Sequence, residues 1–78
     1  MRYKVINFVR YKSSKSQIEG VLLECERTKV KWITTGRYWF KAIPGIIEDY
    51  EIVDSINLNK FMDKFNKFNV HGSELIFK

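Results

Sequence analysis

Between Lys29 and Lys41 the chain sets cations beside large aromatic side chains: Lys29, Lys31, Trp32, Arg37, Tyr38, Trp39, Phe40 and Lys41. Single-stranded nucleic acids are held by such materials, because cations follow the phosphates and any base can stack on an aromatic face. The same residues have a plainer use. In a small domain large aromatics build the core, and the lysines between them become its solvated side. Lys29, Lys31, Trp32, Arg37, Tyr38, Trp39 and Lys41 are therefore the candidate set for binding nucleic acid or another partner. Whether the two indoles are core or surface decides between the two uses.

Other chemistry is thinly supplied. Cys25 is the sole cysteine and His71 the sole histidine, so one chain can form neither an internal disulfide nor a cysteine–histidine metal cluster. Cys25 falls mid-strand among Leu22, Leu23 and Glu24, the setting of a packing residue rather than an activated thiol. His71 stands beside a turn glycine. Glu24/Glu26 and Asp49/Glu51 are carboxylate pairs at strand spacing, but acid–base work also needs a pocket that separates their pKa values. No phosphate loop, nucleophile elbow or dinucleotide fingerprint occurs. The reading is a protein without catalytic residues, metal ligands or cofactor, and not an enzyme.

Charge is uneven. The net charge is +5. Residues 1–47 hold ten basic and three acidic side chains, whereas residues 48–78 hold four basic and six acidic ones. Met1–Ile18 and Arg27–Ile47 contain no acid, and an acidic knot follows at Glu48, Asp49, Glu51 and Asp54. Set side by side in a sheet, the two basic stretches would make a field that attracts polyanions. Paired across strands with the acidic knot, they would cancel.

The 78 residues fit one domain, 1–78. No apolar run approaches the ~20 residues that span a bilayer. Arg2, Lys4, Arg10 and Lys12 interrupt the first segment, unlike a signal peptide. A cytoplasmic location, with no membrane partner, is the expectation. Lys, Ile, Asn, Phe and Tyr supply 34 of the 78 residues and alanine occurs once. Such a skew follows AT-rich coding, as in low-GC bacteria, their phages and mobile elements.

Positioning falls to strands and one helix. Arg2–Lys12 alternates Lys4, Ile6, Phe8 and Arg10 with Tyr3, Val5, Asn7, Val9 and Tyr11, a strand with apolar groups on both faces. Ser13–Ser16 reads as a polar connection. Gln17–Glu26 is a second strand, where Gly20 suggests a bulge. Turns at Glu26–Lys29 and Thr35–Arg37 separate Val30–Thr35 from Tyr38–Ile43. Pro44-Gly45 suits the middle of a type II turn, with a further strand over Ile47–Val53. Leu58, Phe61, Met62, Phe65 and Phe68 share one helical face. The helix spans about 57–68, capped by Asn57 or Ser55 and ended by Gly72. Residues 74–78 close the sheet. The fold class is α+β: a mostly antiparallel sheet of four to six strands with one C-terminal helix packed on one face.

One helix cannot cover both faces of such a sheet, and an uncovered aromatic face is normally a binding surface. Two functions are consistent with this. The first is a small basic binding protein for nucleic acid or a nucleoprotein complex. The alternative is an inhibitor, phage or mobile-element encoded, that binds a host enzyme (such as a nucleic-acid-processing protein) by protein contact. A homodimer through the uncovered face is compatible with either.

Overall fold

The computed structural model describes residues 1–13, 17–69 and 72–77. The order is β1 (Arg2–Tyr11), β2 (Glu19–Cys25), β3 (Lys31–Thr34), β4 (Trp39–Lys41), α1 (Pro44–Ile47), β5 (Tyr50–Val53), α2 (Leu58–Phe68) and β6 (Glu74–Ile76). The sheet runs β4-β3-β2-β1-β5 and curls into a half-barrel. β5 and β6 both pair with β1, β5 antiparallel at Phe8–Tyr11 and β6 parallel at Arg2–Lys4. The α+β architecture, the mostly antiparallel sheet and the C-terminal helix are as the residue pattern indicates. His71, the Ser14–Ser16 connection, and Lys78 at the end of the closing strand lie outside the described residues.

The faces of β1 differ from simple alternation. The register with β2 shifts between Val5 and Asn7, so that Val5 opposes Leu23 and Asn7 opposes Leu22. Ile6 is the extra residue of a bulge, and the parity of the strand reverses there. Tyr3, Val5 and Phe8 therefore all pack on the core cluster of Val21, Leu23, Phe61 and Phe65. Val9 and Ile33 are buried as well, outside that cluster.

The bulge is not at Gly20. That glycine answers a close approach instead: a Cβ there would fall against the Thr34 carbonyl group, 3.2 Å from Thr35 Cα. Pro44-Gly45 is not a type II turn either. Pro44 opens the one-turn helix α1, where its fixed φ fits and its missing N–H is not needed. Gly45 does not have a positive φ. Helix α1 takes the first part of the segment read as a strand over Ile47–Val53, leaving Tyr50–Val53 to β5.

Helix α2 carries its apolar stripe as its spacing requires. Phe61 and Phe65 are buried, whereas Leu58 and Phe68 at its ends are exposed. The Asn57 side chain accepts from the Lys60 N–H at 3.2 Å, capping the first turn. One Glu19 oxygen accepts from the Asn57 N–H at 3.1 Å, tying the helix start to β2. At the far end Gly72 has φ +68°.

Candidate functional site: two aromatic grooves flanking one hairpin

The β3–β4 hairpin carries most of the candidate residues, and its turn is held from inside. Thr34 is fully buried. Its hydroxyl donates to the Tyr38 carbonyl at 2.9 Å and accepts from the Gly36 N–H at 3.1 Å. Gly36 has φ +96°, and a Cβ on it would meet Lys64 Cβ at 2.9 Å and the Phe61 carbonyl at 3.2 Å. Only glycine suits both demands. The turn is thereby pressed onto α2, and the hairpin is fixed relative to the core.

Strand alternation then divides the candidate set between two faces. Trp32 is the Cα partner of Lys41, and Thr34 that of Trp39, so Trp32, Trp39 and Lys41 share the helix side of the sheet. Both indoles are half-buried. Trp39 packs on Tyr3 at 4.9 Å and Phe65 at 6.1 Å between ring centroids, and Trp32 meets Trp39 edge-on at 6.5 Å. Met1, Tyr3, Trp32, Trp39 and Ser73 line an open groove of about 470 Å³ here. Neither indole is sealed under the helix: Trp39 packs against the core cluster, Trp32 packs against Trp39, and both line this groove.

Lys31 and Tyr38 belong to the opposite side. Lys31 opposes Glu24, which in turn opposes Lys4, giving an alternating row of charge. Tyr38 lines a second groove of about 380 Å³ with Tyr11, Ile18, Thr35, Phe40, Ile46, Asp49 and Tyr50. Arg37 stacks over the rings of Tyr38 and Phe68, 5.2 Å from each centroid. Lys29 stands in the β2–β3 turn with φ +64°, its N–H donating to the Cys25 carbonyl at 2.9 Å. The seven residues share one hairpin and its flanking turn, but not one face.

The two basic stretches do not join either. They are separated by β2, and the arginines of β1 are taken up by glutamates. Arg2 lies 3.7 Å from Glu26 and 3.9 Å from Glu74; Arg10 lies 3.4 Å from Glu19 and 3.9 Å from Glu51. Among the described residues these are the ion pairs, and none includes Lys29, Lys31, Arg37 or Lys41. Of the acidic knot only Glu51 forms an ion pair among the described residues, with Arg10, so the knot pairs with none of the hairpin cations.

Cys25 is buried, in keeping with a packing residue. The Thr28 hydroxyl, together with the backbone N–H groups of Thr28 and Arg27, holds its thiol below the ordinary value against the opposing effect of burial. Tyr3 and Tyr50 are pushed above 10.0, chiefly by burial; the neighbouring Cys25 adds to this at Tyr3, and Tyr11 and Asp49 add to it at Tyr50. A raised folded-state value means that the native state holds its protons longer than the unfolded chain. Stability from these tyrosines is complete below pH 10 and is lost as pH rises through the raised folded values. A tyrosinate absorbance titration should show Tyr3 and Tyr50 ionising above the ordinary phenol value, with denaturant midpoints falling over the same alkaline range.

Tyr3, Tyr11 and Tyr50 are the groove tyrosines outside the candidate set. The strand pattern put Tyr3 and Tyr11 in β1 but gave no sign of which strands would flank them. Known protein families, curated proteins and solved structures, each compared with this chain, give no match. Among the described residues no helix is long and apolar enough to cross a membrane.

Proposed function

We propose that this chain is a non-enzymatic binding protein that grips single-stranded nucleic acid, free or within a nucleoprotein complex, at its β3–β4 hairpin. Bases stack in the helix-side groove of Trp32, Trp39 and Tyr3. Lys41, directly across the strand pair from Trp32, meets a phosphate, while Lys29, Lys31 and Arg37 guide the backbone around the hairpin. The observation that carries this reading is an open aromatic groove with a cation beside it, Lys41, that takes part in no ion pair among the described residues.

The test uses an oligothymidine and three variants. Stacking of a base on an aromatic side chain is worth about 1–3 kcal/mol. Trp32→Ala should therefore weaken binding about 5- to 150-fold, and Trp32→Phe much less. Lys41→Ala should weaken every sequence alike and lower the salt dependence by about one phosphate contact. Unchanged affinity in both alanine variants, with circular dichroism confirming their fold, contradicts the reading.

One observation favours the protein-contact alternative. The Tyr38 carbonyl accepts from the Thr35 N–H at 3.1 Å, and the Ala42 N–H donates to the Lys31 carbonyl at 3.0 Å. The intervening backbone of Trp39 and the Lys41 N–H are thereby turned outward, along a sheet edge that could receive a partner strand, while the Lys41 carbonyl accepts from the Ile43 N–H at 2.8 Å. A target protein docked there, such as a host enzyme inhibited by this chain, would bind without steep salt dependence.

A further inference from the structure

The second groove lies on the other face of the hairpin and has a carboxylate, Asp49, in its lining. We propose that it is a binding site for a quaternary or fully methylated ammonium ion. The inference is independent of the nucleic-acid reading, which uses the helix-side groove.

Four aromatic rings form the walls. Tyr11 of β1 and Tyr50 of β5 are Cα partners whose rings meet edge to face at 5.4 Å. Tyr38 and Phe40 come from the hairpin, with centroids 6.4 Å apart. Ile46 of α1, Ile18 and Thr35 complete the lining among the described residues, and Asp49 contributes a carboxylate. At about 380 Å³ the groove falls in the lower part of the range for small-molecule sites, about 300–1,000 Å³.

These parts suit one class of ligand. The faces of aromatic rings carry negative partial charge and attract cations, and aromatic cages recognise quaternary ammonium groups in this way. An alkylated ammonium presents a charge under an apolar surface, so it fits apolar walls that a strongly hydrated primary amine would resist. Asp49 adds a full charge at the rim. Among the described residues it takes part in no ion pair; its backbone carbonyl accepts from the Lys12 N–H at 2.8 Å. An anion is disfavoured by that carboxylate. Arg37 already stacks on Tyr38 and on Phe68 of α2, so the walls the ligand depends on most are Tyr11, Tyr50 and Phe40.

The test compares choline with its uncharged isostere 3,3-dimethylbutan-1-ol, each titrated into the intact protein and followed by NMR of the tyrosine rings. A cation–π contribution of about 0.5–2 kcal/mol predicts that choline binds about 2- to 30-fold more tightly than the isostere. Asp49→Asn, an exposed substitution that should leave the fold intact, should weaken choline and spare the isostere. A peptide carrying trimethyllysine then identifies the source: binding tighter than choline indicates a modified protein tail, and weaker binding a free small molecule. Equal affinity for choline and the isostere would show a merely apolar slot and overturn the proposal, as would tyrosine signals that do not respond to choline. Neither result depends on whether oligonucleotides bind the opposite face.

Discussion

Replacing Phe65 by alanine should remove most of the stability of this domain. Phe65 is only 3% exposed and lies in the cluster with Val21, Leu23 and Phe61. Its ring stacks on Phe61 at 6.0 Å and supports Trp39 at 6.1 Å. Truncating a buried phenylalanine to alanine costs about 3–5 kcal/mol, the lost transfer energy plus the cavity left behind. Total stabilities run about 5–15 kcal/mol, and short chains tend toward the low end because they bury less of their surface. Urea denaturation should show a large fall in midpoint. The control is Phe68→Ala on the same helical stripe: that ring is 40% exposed and its loss should be far milder. Equal losses at the two positions would mean that the core is not where these contacts put it. Because Phe65 backs Trp39, the folded fraction of the variant should also show an altered tryptophan emission.

Gly20→Val should also be damaging, for a different reason. No cavity is made; there is no space to fill. The would-be Cβ meets the backbone of Thr34 and Thr35, and backbone cannot rotate out of the way as a side-chain tip can. Overpacking of this kind costs about 1–3 kcal/mol, occasionally more. Here the neighbour is Thr34, whose hydroxyl holds the hairpin turn. The expected result is a large drop in thermal midpoint together with a changed environment at Trp39, the Cα partner of Thr34. At Gly45 a Cβ would meet nothing within 4 Å, so Gly45→Ala serves as the comparison and should be nearly neutral. A Gly20→Val variant as stable as Gly45→Ala would contradict the strand register described above.

Helix α2 was legible because Leu58, Phe61, Met62, Phe65 and Phe68 recur at spacings of three and four, which share one face of a helix but fall on both faces of a strand. The strands were legible from their β-branched and aromatic runs. The faces of β1 were not, because a bulge at Ile6 needs no glycine and leaves no mark on composition, yet it reverses every side chain beyond it. Pro44-Gly45 misled because proline fits the first turn of a helix as well as it fits a type II turn. The candidate residues were found together on one hairpin, but a strand sends neighbours to opposite sides. That is why Trp39 and Tyr38 end in different grooves. The partnership of Tyr11 with Tyr50 depends on pairing between β1 and β5, a long-range contact that local spacing does not report.

The proposed role of the groove at Trp32 and Trp39 is to receive the bases of a single-stranded nucleic acid. It is tested most directly by titrating the protein with single-stranded and duplex oligonucleotides while following tryptophan fluorescence at a low and a high salt concentration. Both tryptophans of the chain line that groove, so the signal reports on the site itself. Saturable quenching by the single strand, weaker quenching by the duplex, and affinity that falls steeply with salt are the expected results. Tryptophan emission that stays unchanged by either oligonucleotide at low salt would contradict it.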